Sequence, residues 1–289
     1  MANTLALRRR IKTAQNVSKT TRAMQMIAAS KLKRAQEAAV SARPYVTKLV
    51  SVTQSLAPKD NVTDDSLSPY MKISKASSKT LYIVISPDKG LCGGLNTNLI
   101  REYLHFRGEN SLFVTVGKKI ENIAASNKNL IASFPFGNTL PSFAAVLPII
   151  KIIDEYFLTG KVDNVKILTT HFNSVFSQSP KVTDFLPVKL TEINAVEEAD
   201  KLSSRIYEPS QKDLLPALLK RYIEMVLFQH FLENYASFQA AQMIAMQNAT
   251  NNAKDIVNAL QLLYNKARQE KITKEILDIT SAAVAMEQG

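Results

Sequence analysis

The sequence predicts an α/β protein in which the N- and C-terminal helices form a long antiparallel coiled coil joined to a central, doubly wound, Rossmann-like α/β domain. Two observations carry this prediction. Helix breakers are confined to the middle of the chain: seven of eight glycines fall between Gly90 and Gly160, and no proline precedes Pro44 or follows Pro216. An interior proline costs a helix about 3 kcal/mol and a glycine about 1 kcal/mol relative to alanine, so the two ends are free to form very long helices. The middle, by contrast, alternates β-branched runs with helical stretches, the signature of a sheet covered by helices.

The first segment, residues 4–57, is rich in Ala, Lys, Arg, Gln and Met, all strong helix formers. Residues 4–43 would extend roughly 60 Å at about 1.5 Å per residue, with Pro44 expected to break or kink the helix. Its apolar seam reads Ala14, Val17, Thr21, Met24, Ala28, then Lys31 and Ala35. Small seam residues allow close approach but bury little area each. Between Arg8 and Arg34 lie nine basic residues and no acid. Such a helix is marginal alone and needs a partner. The last segment, from about 211 to 285, supplies one. Leu214, Leu215, Leu218, Leu219, Ile223, Val226 and Leu227 give a broad apolar face, and Met243, Met246, Ala249, Ala253, Ile256, Leu260, Leu263 and Ala267 continue it. After Ala267 the phase slips to Ile272, Ile276, Ile279 and Ala283, which implies a change of environment. Some 70 helical residues would span roughly 105 Å, so this helix is expected to project from the middle domain with the N-terminal helix beside it.

In the middle, strands are expected at Thr80–Ser86, Ser111–Val116, Leu130–Phe134, Val165–His171 and Val182–Leu190, the last two as a hairpin-like edge pair. Helices are expected at Leu95–His105, Lys118–Ala125 and Phe143–Leu158. Ala57–Ser78 and Thr191–Ser210 read as polar connectors. The expected domains are therefore 1–57, 75–195 and 210–289.

The formal charge of +11, from 36 basic and 25 acidic side chains, favours acidic partners: protein, nucleic acid or a membrane surface. A single cysteine, Cys92, excludes an internal disulfide framework and a cysteine-based zinc cluster. No apolar run reaches the roughly 18 residues of a membrane span. The opening MANTLALRRRIK has no apolar signal core, so a soluble protein in a reducing compartment is expected.

Candidate chemistry is sparse. The turn Ser86–Gly94 follows the first strand, where nucleotide-binding α/β proteins carry their phosphate loop, yet neither G-x-x-x-x-G-K-[ST] nor G-x-G-x-x-G is present. A tight strand-to-helix crossover is the simpler reading. Cys92 has no histidine nearby in sequence and reads as core. His105, His171 and His230 are too far apart in sequence to form a metal motif, Glu197-Glu198 reads as a solvated face, and Met243/Met246 as packing. The basic N-terminal helix permits phosphate contacts, but aromatics for base stacking are absent from residues 1–44. No catalytic constellation emerges.

Three stretches carry a resemblance. Ile11–Asn16 with Thr21–Leu32 (TRAMQMIAASKL), Ser86–Asn96 with its DKGLCGGLN core, and Leu260–Asp278 (LQLLYNKARQEKITKEILD) are similar, in order and over essentially the whole chain, to the γ subunit of bacterial F-type ATP synthases. The resemblance implies the central-stalk rotor shaft of the F1 sector of a proton-translocating enzyme. The terminal helices would turn inside a ring of three α and three β subunits, coupling c-ring rotation to ATP synthesis or hydrolysis on β. By the same match, Arg268, Gln269, Thr273 and Glu275 would contact the β-subunit loops that grip the shaft. Met24, on the short helix, would face the β lever region. Tyr207 and Glu208, with Pro209, would meet the c-ring and the ε subunit. This chain would hold no cofactor, metal or catalytic residue, since ATP, ADP and Mg belong to the α and β partners. No nucleic-acid partner and no membrane insertion are implied, and the location is peripheral, on the cytoplasmic face of the cell membrane. Three departures stand out: Phe238 and Gln242 replace the usual Glu and Arg, Ser281-Ala282 replaces Gly-Ala, and Pro87 stands where Ser is usual. Two other readings remain: a shaft of an F1-like ATPase without proton translocation, and a basic coiled-coil nucleic-acid binder.

Overall fold

The computed structural model describes residues 4–56, 68–72, 77–126, 128–188, 208 and 210–287. The breaker-free ends are helical throughout: α1 runs Thr4–Leu56 and α5 runs Gln211–Glu287, 53 and 77 residues. Pro44 does not break α1. The carbonyl that loses its partner there belongs to Val40, four residues earlier, and Val40 is exposed, so water can take up the freed acceptor. The chain divides into two compact units, Met1–Ala28 with Met243–Gly289, and Ala29–Gln242, so each long helix contributes to both.

The larger unit is built on a five-stranded sheet of order β3-β2-β1-β4-β5. The strands are β1 (Thr80–Ile85), β2 (Ser111–Val116), β3 (Leu130–Phe134), β4 (Asn164–Phe172) and β5 (Gln178–Leu186). The first four are parallel, and β5 pairs antiparallel with β4 at the edge. Helices α2 (Leu95–His105), α3 (Lys118–Ala124) and α4 (Leu147–Leu158) connect them. The parallel strands read as near-continuous apolar runs because both faces are covered. On one face Tyr82, Val84, Phe113 and Leu168 pack with Leu99 and Tyr103 of α2 and Ile120 and Ala124 of α3. On the other, Leu81, Ile83, Ile85, Val114, Val116 and Ile167 are fully buried, as are Ile149 and Ile153 of α4. One glycine is obligatory: Gly117, at φ 99°, lies so close to the first strand's end that a Cβ would sit 2.0 Å from the Ser86 carbonyl oxygen.

Two boundaries differ from expectation, for local reasons. The expected helix Phe143–Leu158 is a 3-10 turn, Phe143–Ala145, followed by α4, because Pro148 sits in the first turn of α4 where its missing N–H costs nothing. The last strand is Gln178–Leu186 rather than Val182–Leu190. It starts early because Phe172 pairs with Gln178 across the hairpin, and an edge position tolerates Pro180. The connector expected over 57–78 falls mostly outside the described residues, but Pro69–Met71 is a buried 3-10 turn. Its Tyr70 hydroxyl donates to Asp154 Oδ1 at 2.8 Å, and its carbonyl accepts from Val188 N at 2.9 Å. Of the second connector, only Glu208 and Ser210 are described.

The middle of α5 is clamped across the C-terminal ends of β1 and β4. Asn234 Nδ2 donates to Ile85 O at 3.0 Å and to Thr169 Oγ1 at 3.1 Å, and Ser237 Oγ donates to Thr170 O at 3.1 Å. One turn away, Glu233 contacts His171 and accepts the Phe172 amide. Because Asn234 is fully buried, Asn234→Ala should cost about 1–3 kcal/mol, read as a lower urea midpoint for unfolding. A pH dependence also follows. Burial, and then the charges of His171 and Lys181, lower the His230 pKa to about 4. The unfolded chain regains an ordinary value near ~6.5 and so binds the extra proton between those limits. The stability from neutral His230 is complete above that range and is lost as pH falls through it. The urea midpoint should drop across this window more steeply in the wild type than in His230→Gln.

Candidate coupling surface on the terminal helices

The smaller unit is a helix pair with a seam of small residues. Thr21 Oγ1 and Thr250 Oγ1 lie 2.7 Å apart, one donating to the other. Each also has a carbonyl of its own helix in reach, Val17 O at 3.0 Å for Thr21 and Met246 O at 2.8 Å for Thr250, so either hydroxyl can donate across the seam while the other donates back. A groove of about 350 Å³ beside this contact is lined by Gln15, Ser18 and Lys19 on α1 and by Lys254, Val257 and Asn258 on α5. Earlier residues of one helix meet later residues of the other, so the pair is antiparallel. The inward positions are Leu7, Ile11, Ala14, Ser18, Thr21 and Ala28 on α1, and Met246, Thr250, Ala253, Val257, Leu260, Tyr264 and Ala267 on α5. Both sets step by four and three, the heptad period.

This seam corrects the expected one. Val17, Ile256 and Leu263 were placed inside by hydrophobicity, but all three are exposed, and Ser18 and Thr250 take seam positions. Close-packed helices select side chains by size as well as by hydrophobicity, and two hydroxyls that bond to each other and to their own backbones carry no desolvation penalty. The consequence is a pair with its larger apolar side chains outside. Met26, Ile27, Ile256, Leu262 and Leu263 are all exposed, Leu262 at 72%. From Arg268 to Ala282 every side chain of α5 is exposed, including Ile272, Ile276 and Ile279, so the expected change of environment after Ala267 is real.

Arg268, Gln269, Thr273 and Glu275 all lie on this exposed end, and Glu275 pairs with Lys271 at 3.5 Å. Met24 is half-buried one turn from the threonine contact. Arg268 stands 18 residues beyond Thr250 on the same helix, about 27 Å, so Met24 and the Arg268 group occupy different levels of the pair. Glu208 is exposed, and Tyr207 lies outside the described residues.

The turn considered as a phosphate loop is closed by the chain itself. A doubly wound sheet binds ligands where the strand order reverses, here between the C-terminal ends of β1 and β4. Asn234 and Ser237 of α5 occupy that place. The neighbouring amides are taken by Asp88, whose Oδ1 accepts from Lys118 N at 2.9 Å and Phe136 N at 3.2 Å and whose Oδ2 accepts from Gly137 N at 2.8 Å. Cys92 is buried against Leu95, Phe238 and Ala241, and burial pushes its thiol pKa up, the opposite of a reactive cysteine. His105 is exposed at the end of α2. Among the described residues no group of three His, Cys, Asp or Glu side chains could hold a metal, and no helix is long and apolar enough to cross a membrane.

The sequence matches the family model described as ATP synthase over residues 3–286. The ATP synthase gamma chain of Methylacidiphilum infernorum is 38% identical over 297 residues, covering 99% of this chain and all of the relative. That of Dehalococcoides mccartyi strain CBDB1 is 39% identical over 290 residues with the same coverage. This chain belongs to the ATP synthase gamma chain family. Its fold also matches a chain of the Euglena gracilis mitochondrial ATP synthase (OSCP/F1/c-ring) with TM-score 0.72 and 18% identity, covering 99% of this chain and 95% of that one. A chain of the Tetrahymena thermophila enzyme's central stalk and c-ring matches with TM-score 0.58 and 23% identity, covering 80% and 99%.

In this gamma-family chain the seam contact can be weighed directly. Thr250→Val should cost about 1 kcal/mol in urea unfolding. The double variant with Thr21→Val should cost less than the sum of the single ones by about 0.5–1 kcal/mol.

Proposed function

We propose that this chain is the central-stalk shaft of an F-type ATP synthase, its helix pair turning within a ring of three α and three β subunits. The observation that carries this reading is the inside-out distribution on the helix pair: small and hydroxyl side chains in the seam, Met26, Ile27, Ile256 and Leu262 facing outward, and an exposed apolar end beyond Ala267. Exposed apolar surface on that scale calls for a protein sleeve. The full-length family match names the sleeve's class.

The mechanical logic is asymmetry. Three chemically identical β subunits can differ at one moment only if something at their centre differs in direction. Two antiparallel helices of unequal reach present a different surface to each β subunit. Each contact favours one β conformation over another, so turning the shaft passes that preference around the ring. On this reading the chain has no catalytic residue and binds no cofactor, and ATP, ADP and Mg are held by α and β. Arg268, Gln269, Thr273 and Glu275 contact the β loops at the exposed end, and Met24 faces the β lever region. Tyr207 and Glu208 meet the c-ring and ε at the other end of the chain's path. The chain would lie peripherally on the cytoplasmic face of the membrane, with neither membrane insertion nor nucleic acid involved. Its nine basic residues between Arg8 and Arg34 add attraction to acidic loops that weakens as salt shortens the screening length to about 8–10 Å.

The test is coupling. Arg268→Glu combined with Gln269→Ala should lower ATP-driven proton pumping in reconstituted vesicles more than it lowers ATP hydrolysis. Pumping at the wild-type ratio by the assembled variant would remove those two residues from the grip.

A further inference from the structure

The hairpin between β4 and β5 ends in an exposed aromatic side chain with no role in the folds or contacts described so far. Phe176 is 84% exposed, the most open of the large apolar side chains among the described residues. Its backbone is firmly held. Ser174 and Ser177 exchange amide–carbonyl hydrogen bonds at 3.0 and 3.3 Å, and Ser174 Oγ accepts from the amides of Phe176 and Ser177. Gln178 Nε2 donates to Ser174 O and Val175 O, both at 2.9 Å. A ring displayed on a rigid turn has already lost the conformational freedom that docking would otherwise remove, which is how a contact element is pre-organised.

We propose that Phe176 is a docking knob that enters an apolar recess on an α or β subunit of the catalytic ring. This rests on the function proposed above. Three observations select the occupant. Residues 173–180 carry no charged side chain in a chain of net charge +11, so the tip is poorly suited to nucleic acid or an anionic bilayer. One phenylalanine buries about 150–250 Å², far below the roughly 1,200 Å² of a stable pairing, so the tip cannot by itself hold a second copy and must belong to a larger interface. The tip follows the C-terminal end of β4, the edge of the sheet where α5 passes Asn234 and Ser237 before continuing into residues 243–287, the part assigned to the ring.

The experiment uses the full chain assembled with the purified α and β subunits of its own organism. Phe176→p-benzoylphenylalanine is irradiated in the complex and the product identified by mass spectrometry; a cross-link to α or β is expected. In parallel, Phe176→Ala should leave the melting temperature of the free chain unchanged and speed its release from the ring roughly tenfold, whereas Phe176→Leu should stay close to wild type. A cross-link to ε, to a c subunit or to a second copy overturns the proposal. So does wild-type release by the alanine variant. If the wild-type chain forms no complex with the ring, the shaft function falls and the knob falls with it; if the complex forms and only the Phe176 readouts are negative, the knob alone is refuted.

Discussion

A single helix, α5, has to satisfy two different environments along its length, and much of the rest follows from that constraint. Its middle must hold to the sheet, and its later part must present one narrow stripe to α1. Asn234 and Ser237 fix the rotation of the helix at the sheet by hydrogen bonds to specific carbonyls, a more exacting restraint than apolar packing because hydrogen bonds are directional. In a continuous helix, fixing the rotation at one level fixes which side chains face inward several turns later. The seam of Met246, Thr250 and Ala253 is phased from that clamp.

The same constraint accounts for the departures at Phe238 and Gln242. Phe238 is buried with Cys92, Leu95 and Ala241, so the position contributes to the apolar attachment between α5 and the loop after β1. The phenylalanine extends the clamp by one turn beyond Asn234. Gln242 is half-buried at the boundary between the two units, and nothing in the structure assigns its side chain a specific contact.

Much of this architecture is legible in the sequence because it depends on local chemistry. Glycine and proline placement locates both long helices, and β-branched runs locate β1 to β4. The resemblance in DKGLCGGLN and in the two terminal motifs points to the family. What stays illegible depends on tertiary choice. Hydrophobicity puts Val17 and Ile256 in the seam, yet the helices meet through Ser18 and Thr250, because the rotation of α5 is set elsewhere and its outer face is built to meet other surfaces. Gln178–Pro180 shows no strand signal and is a strand because Phe172 is its partner. The clamp at Asn234 has no motif at all: a lone asparagine within a helical run carries no mark of the two acceptors that await it.

Asp88 has a wider consequence. The amides of Lys118, Phe136 and Gly137 converge as they would around a bound anion, and the oxygens that meet them belong to the chain. A tethered carboxylate competes as though present at millimolar concentration or above, continuously and without diffusing away. An architecture widely used to hold nucleotides is thus self-saturated here. The domain can stand in a nucleotide-rich solution without responding to it, and its loops keep one geometry whatever the cell's energy charge.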